Sequence, residues 1–175
     1  MADSSLHSGL YAISLLFSYP DRQWASMPIP EGLAVEARLV LEEMRSLDPT
    51  ALENEYVRLF VNSMPEVPCA PYGSVYLEGT VMGETTLKLS ECYRRYGMEP
   101  DELADHIAVE SEFLAWLHGR AGESAENRKQ YDYLLGHLQQ WTTGFFSQVE
   151  QHDRLGCYRH CARVARGLLS SLPNN

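Results

Sequence analysis

Apolar residues recur every three or four positions along almost the whole chain, and almost no segment alternates between apolar and polar residues. This spacing is typical of amphipathic helices and not of half-buried strands. It predicts an all-α, single-domain bundle of about seven helices over residues 1–175, with one long loop rich in proline and glycine. The apolar stripes are Leu6 to Phe17, Leu33 to Met44, Leu52 to Phe60, Leu89 to Tyr96, Leu103 to Leu117, Tyr131 to Val149 and Leu155 to Leu168.

Helix-breaking residues divide these stripes. Asp48 and Pro49 suit the cap and the first position of the third helix, and Gly97 suits the end of the fourth. Residues 62–79 carry three prolines and two glycines, so a continuous helix there is disfavoured. Ordered loops of this length are usually functional. The stripe that follows Asp101 covers most of the helix circumference, which predicts the central, most buried helix.

The charge of the chain limits its partners. Fourteen basic and 24 acidic residues give a formal net charge of −10. Such a surface repels nucleic acids and anionic lipids and attracts basic segments. The first residues lack the basic stretch of a secretory signal, and no apolar run approaches the length of a bilayer span. We therefore expect a cytoplasmic protein that neither enters a membrane nor binds nucleic acid.

Catalytic motifs are missing from the sequence. It has no glycine-rich phosphate loop, no His-Glu-x-x-His pair and no nucleophile elbow, which indicates a protein that is not an enzyme. Its four cysteines form no Cys-x-x-Cys pair. A group near the C-terminus, His152, Cys157, His160 and Cys161, leaves open an alternative: a small helical protein that binds metal through Cys and His or senses redox state.

Two further segments combine stiff backbone with polar or aromatic side chains. Residues 68–76 present Tyr72 and Tyr76 between prolines and a glycine. Asp105 and His106 stand side by side at the predicted start of the central helix, and Glu110 follows one turn after His106. Aromatic packing and helix capping alone account for both segments equally well, so a plain helical adaptor without a dedicated site is also an open reading.

Three sequence motifs are similar to those of a known family. Residues 55–60 read EYVRLF, residues 71–76 read PYGSVY and residues 99–110 read EPDELADHIAVE. In order and spacing they resemble the motifs of the TorD/DmsD/NarJ family of molybdoenzyme-specific chaperones, also called redox enzyme maturation proteins, over roughly residues 10 to 170. Two positions depart from the family pattern: Ala70 replaces a proline, and Ser111 stands where leucine or methionine is common.

The resemblance implies a function. Members bind the twin-arginine signal peptide, or another segment, of a molybdenum-containing oxidoreductase subunit and assist cofactor insertion before export or membrane assembly. The sequence offers no complete set of cofactor ligands, so no cofactor of the chaperone itself is expected. Guanine nucleotide has been proposed for some members, but this sequence has no phosphate loop. The client is not specified; a dimethyl sulfoxide, trimethylamine N-oxide, tetrathionate or nitrate reductase would each fit. A monomer or a domain-swapped dimer is expected.

The resemblance also implies which residues bind the peptide. Tyr72 is the expected aromatic anchor, Asp105 the expected partner of a client arginine, and His106 the neighbour that orients Asp105 or supplements it. Residues of second rank are Glu55, Tyr56, Tyr76 and Glu110. We therefore expect Tyr72, Asp105 and His106 to lie around one surface, although 33 positions separate the first two in sequence.

Overall fold

A computed structural model describes residues 2–172 of the chain, and within that range it contains α-helices but no strand. This confirms the all-α prediction. The helices are α1 (Ala2–Phe17), α2 (Arg22–Ser26), α3 (Val35–Ser46), α4 (Pro49–Tyr56), α5 (Gly73–Glu78), α6 (Glu84–Arg95), α7 (Ile107–His118), α8 (Ala125–His152) and α9 (Cys157–Ser170). A π-helical turn, Val57–Val61, continues α4.

The periodicity of apolar residues did not predict two short helices, α2 and α5. The seven predicted helices correspond to α1, α3, α4 and α6 to α9, whereas α2 and α5 have only five and six residues. Helices that short do not complete two turns, so no apolar stripe can mark them. The predicted loop over residues 62–79 is therefore wrong in its second half, where α5 lies. The helix after Asp101 also starts later than expected, at Ile107, and α1 already includes the predicted cap residues Ser4 and Ser5.

The sequence correctly predicts helix caps where the capping residue is adjacent in sequence to the helix end. The Asp48 carboxylate accepts a hydrogen bond from the Ala51 amide at 2.8 Å, with Pro49 at the first helical position of α4. Gly97 adopts φ +71° just after α6, a left-handed conformation that costs glycine little. These interactions confirm the predicted boundaries of α4 and α6.

The core confirms the predicted place of α7. Eight of its twelve residues are buried, and it packs against α1 on one side and α8 on the other. Below it, the aromatic rings of Phe17, Phe60, Phe145 and Tyr158 pack mostly edge to face, with centroids 5.2–6.1 Å apart. Burying each such ring contributes on the order of 2 kcal/mol. The segments before α5 and at the start of α7, which carry the motif residues, are anchored in this core by the fully buried Cys69 and Ile107.

Candidate functional site

The segments before α5 and α7 are hydrogen-bonded to each other as a short antiparallel pair. The Ile107 amide donates to the Pro71 carbonyl at 2.9 Å, and the Gly73 amide donates to the Asp105 carbonyl at 3.0 Å. Tyr72 and His106 therefore stand opposite each other as an isolated β-bridge. The three residues that were expected around one surface are thus neighbours, but only Tyr72 is partly exposed, because Asp105 and His106 are buried.

Asp105 lies beneath this pairing and not on the surface. Its side chain is fully buried, and Oδ2 accepts a hydrogen bond from the Ser74 amide at 2.8 Å, which satisfies one free donor at the start of α5. Oδ1 and the Ser74 hydroxyl, both buried, have no partner among the described residues. In this conformation Asp105 fixes α5 to the start of α7 and is out of reach of a client side chain.

His106 is also buried, and it caps α7. Its Nδ1 accepts a hydrogen bond from the Ala108 amide at 3.1 Å, which requires an unprotonated nitrogen. Burial lowers the pKa of His106 to about 4, although the nearby carboxylates of Glu102 and Asp105 act in the opposite direction. The imidazole is therefore neutral at pH 7, and its ring supports the Tyr72 ring edge to face at 5.4 Å.

Beside these residues lies a surface that we call the tyrosine face, formed by Tyr19, Tyr72 and Glu102 and backed by Tyr56. Tyr56 is itself buried, and its hydroxyl donates to the Phe17 carbonyl at 3.1 Å. The Tyr72 hydroxyl donates to Glu102 Oε1 at 3.5 Å, and the Tyr19 and Tyr56 rings meet edge to face at 5.2 Å. Burial, and after it the proximity of Tyr72 and Glu102, raises the pKa of the Tyr56 hydroxyl. Tyr72 is half-buried, whereas Glu102 and Tyr19 are exposed. The face therefore offers aromatic edges beside a solvent-exposed carboxylate.

Glu110 and Tyr76 belong to a second, interior group. Glu110 is fully buried; its Oε1 is 2.5 Å from His137 Nδ1, and its Oε2 accepts from Trp141 Nε1 at 3.4 Å. The half-buried Tyr76 ring stacks on Trp141 at 5.6 Å. Burial raises the pKa of Glu110, and its hydrogen bond raises the pKa of His137 against the effect of burial. The pair therefore retains a proton and ties α7 to α8.

Glu55 forms its hydrogen bonds in a different part of the fold, near the turn between α8 and α9. Both of its carboxylate oxygens accept from the Arg58 guanidinium, at 2.7 and 2.8 Å, and Oε1 also accepts from the Arg154 amide at 2.7 Å. Although burial alone would raise it, these donors lower the pKa of Glu55. Arg58 in turn donates to the His152 carbonyl at 2.6 Å. Glu55 thus pins α4 to the turn between α8 and α9.

Of the seven residues expected to bind peptide, the structure brings Tyr72, Asp105 and His106 together, with the buried Tyr56 near Tyr72. It places Tyr76 and Glu110 in the interior group and Glu55 against the turn between α8 and α9. Sequence reasoning missed Glu102 and Tyr19 on the face. Glu102 lies inside a motif segment, three residues before Asp105, but nothing local distinguishes it from the acidic residues around it. Tyr19 lies two residues after the end of α1, and only its edge-to-face contact with Tyr56 of α4 places it on this face.

The cysteines and histidines near the C-terminus do not form a common site. Cys157 and Cys161 are buried, and desolvation raises the pKa of Cys157 to about 12 and that of Cys161 well above its ordinary value. His160 instead contacts Glu43, and His152 donates to the Gln148 carbonyl. Among the described residues no three His, Cys, Asp or Glu side chains are placed to hold a metal ion. In the same part of the chain, no helix is long and apolar enough to cross a membrane.

Comparison with known proteins gives concordant results. The family profile described as nitrate reductase delta subunit matches residues 28–147. The chaperone protein TorD of Vibrio cholerae strain O395 is 29% identical over 77% of this chain and 69% of its own. A selenate reductase assembly chaperone protein of Thauera selenatis is 30% identical over 85% of this chain and 79% of its own. Other Vibrio TorD chains are matched over 50–58% of their length.

A solved structure has the same architecture. It is a chain from Archaeoglobus fulgidus that is described as a redox enzyme maturation protein. Its sequence is 32% identical to this one, the superposition covers 94% of both chains, and the TM-score is 0.70.

Proposed function

Since the chain belongs to the TorD/DmsD/NarJ family, the nitrate reductase delta subunit family of molybdoenzyme-specific chaperones, we propose that it binds a basic segment of a molybdenum-containing catalytic subunit. The segment is a twin-arginine signal peptide or a comparable stretch near a terminus of the client. Binding takes place in the cytoplasm and holds the client back until its cofactor is inserted. The protein acts by binding and not by catalysis.

The observation that carries this proposal is the composition of the tyrosine face. Tyr72 projects from a backbone that is fixed by two hydrogen bonds to the start of α7, and an exposed carboxylate, Glu102, lies beside its ring. In the described part of the chain no basic side chain forms an ion pair with Glu102. Glu102 Oε1 accepts from the Tyr72 hydroxyl and from the Leu103 amide, whereas Oε2 accepts from neither of them. Aromatic edges next to such a carboxylate suit an arginine, which stacks on rings and donates to oxygen at the same time.

The burial of Asp105 and His106 supports different roles for the residues of the site. We propose that Glu102 meets the client arginine directly and that Tyr72 provides the aromatic contact. Asp105 and His106 act as positioning residues, because they fix the backbone on either side of Tyr72. The net charge of −10 adds a long-range attraction that speeds encounter with a basic segment.

Titration calorimetry with the N-terminal peptide of a client reductase tests the proposal. The client is identified by mass spectrometry after co-purification of the tagged chaperone from its native host. We expect Tyr72→Ala to weaken binding by about 1–3 kcal/mol, the scale of a lost aromatic contact with its buried area. Tyr133→Ala is the matched control, since Tyr133 is an exposed tyrosine on α8, 46% accessible. Equal affinities for the two well-folded variants would refute the assignment of the site.

A further inference from the structure

A groove lies between the end of α6 and the outer side of α7. We call it the aromatic groove; it is lined by the half-buried Val109 and Trp116 and by the buried rings of Tyr93 and Phe113, and Glu99 and Glu112 stand at its rim. Its volume is about 310 Å³, which is at the lower end of the range of small-ligand pockets and large enough for one or two side chains.

The rings that line the groove are held in place by each other. Phe113 packs against Tyr93 at 4.4 Å and stacks on Trp116 at 5.5 Å with an interplanar angle of 19°. The Arg120 guanidinium covers a face of the Trp116 indole at 4.0 Å from the ring centroid. The apolar surface is therefore preformed, and an apolar side chain entering it loses water contact without requiring the walls to move.

The charge around the groove favours one kind of occupant. Glu99 and Glu112 are both exposed, and neither forms an ion pair with a basic side chain within residues 7–172. The connection before α7 continues the acidic rim through the exposed Asp101 to Glu102 on the tyrosine face. Glu99 and Glu102 are three residues apart, so their Cα atoms lie within about 10 Å. A strip of exposed carboxylates thus connects the aromatic groove with the tyrosine face.

We propose that the aromatic groove receives an apolar side chain of the same client segment whose basic residues lie along Glu99, Asp101 and Glu102. This inference rests on the proposed function and adds a second subsite to it. The occupant is an extended peptide in which basic residues stand next to a large apolar residue, because this pairing matches an acidic strip that ends in an apolar groove. A peptide with basic residues alone would use only the tyrosine face and the strip.

The tryptophans provide a direct measurement. The chain has three, and Trp24 and Trp141 are 4% and 1% exposed, whereas Trp116 is half-buried at the groove. Fluorotryptophan labelling therefore gives three ¹⁹F resonances, and Trp116→Phe assigns the one at the groove. The probes are a synthetic peptide with two arginines followed by phenylalanine and leucine, and the same peptide with both apolar residues replaced by serine. We expect the first peptide to shift the Trp116 resonance and the second to leave it in place and to bind about tenfold more weakly.

Removing the charges at the rim of the aromatic groove is the second part of this experiment. The double variant Glu99→Gln, Glu112→Gln should bind the first peptide about three- to tenfold more weakly, the scale of two exposed charge interactions. The control Glu31→Gln, Glu42→Gln changes the net charge equally at exposed positions before and on α3 and should bind like the parent protein.

The outcomes separate the two proposals. If the first peptide binds in a Tyr72-dependent way but leaves the Trp116 resonance in place, the subsite is wrong and the proposed function stands. If neither peptide binds, the proposed function and the subsite both fail. A Trp116 resonance that shifts with protein concentration in the absence of peptide would show that a second copy of the chain covers the groove, and would also overturn the inference.

Discussion

His106 caps α7 through a ring nitrogen that must carry no proton, and this sets a pH dependence. Its pKa is lowered to about 4 in the folded protein, whereas an unfolded histidine titrates near its ordinary value of 6.5. The contribution of the neutral ring is therefore complete above about pH 6.5 and is lost as the pH falls toward 4. We expect the free energy of unfolding to decrease by up to about 3 kcal/mol across this window in urea titrations.

A matched variant isolates His106 from the other acid-titrating groups. Asparagine is a good helix cap and does not titrate, so His106→Asn should reduce the loss of stability between about pH 6.5 and pH 4. His160→Asn is the control, because His160 is a partly exposed surface histidine that contacts Glu43. A pH profile of His106→Asn as steep as that of the control would contradict the capping role.

Glu110 is buried, and we expect it to stabilise the fold through its hydrogen bond with His137. Glu110→Gln removes the charge that compensates the imidazole, and loss of one partner of a buried pair typically costs about 3 kcal/mol. Thermal or urea unfolding measures this loss. Because the pair lies below the surface, client-peptide affinity should change little.

Replacing both partners tests whether the Glu110–His137 pairing is the cause. The double variant Glu110→Leu, His137→Leu leaves no unpaired charge, so it should lose less stability than the sum of the two single leucine variants. Additive losses would show that each residue acts independently. A large loss of peptide affinity in a folded Glu110→Gln protein would instead place Glu110 in the binding site.

At the scale of elements, α5 depends on a close approach at its first residue. A Cβ atom on Gly73 would lie 2.9 Å from His137 Cε1 and 3.0 Å from Trp141 Nε1, and both rings are packed. Gly73→Ala should therefore destabilise the fold by about 1–3 kcal/mol and weaken peptide binding, because Tyr72 is the preceding residue. Urea unfolding and calorimetry measure the two effects.

Gly136 provides the opposite case within α8. A Cβ there would meet nothing within 4 Å, so Gly136→Ala should be neutral or stabilise the protein by up to about 1 kcal/mol through helix propensity. If both alanine variants unfold at the same denaturant concentration, α5 is not packed on α8 as tightly as the structure indicates.

The long helices and the short helix α5 show what the sequence can and cannot predict. The long helices were predictable because each buries a stripe that recurs over several turns, and the caps at Asp48 and Gly97 are local. Helix α5 was not predictable, since its first two amides are satisfied by Asp105, which lies 31 residues after Ser74 in the chain. The burial of Asp105 was hidden for the same reason: it depends on α5, an element that the pattern did not predict.

The proximity of Tyr72 and His106 was predicted from motif resemblance, and the hydrogen-bonded pair at Pro71 and Ile107 explains it. The exposed members of the site were harder to find. Glu102 stands among several acidic residues in a polar connection, and only the packing of the segments determines which carboxylate lies next to the Tyr72 hydroxyl.

At the scale of the whole molecule, the net charge of −10 predicts how binding responds to salt. The association rate with a basic peptide should fall about tenfold between low salt and about 0.3 M salt, because screening shortens the range of the attraction. The dissociation rate should change less, since short-range aromatic contacts dominate it. Stopped-flow fluorescence measures both rates. A peptide with citrulline in place of arginine should lose most of the salt dependence, and an equal slope for both peptides would contradict electrostatic attraction.

The pairing of Pro71 and Tyr72 with His106 and Ile107 also has a consequence for how this fold can vary. The chain between these segments, which includes α5 and α6, begins and ends at the same place on the core. We call this stretch the excursion; the hydrogen bonds between the two segments hold its two ends together. Residues added or deleted at the turn between α5 and α6 change the size of the excursion without changing the distance between its two ends. Grafting a longer turn at Gly79 to Gly83 would thus alter the periphery of the protein while Tyr72 keeps its place against His106.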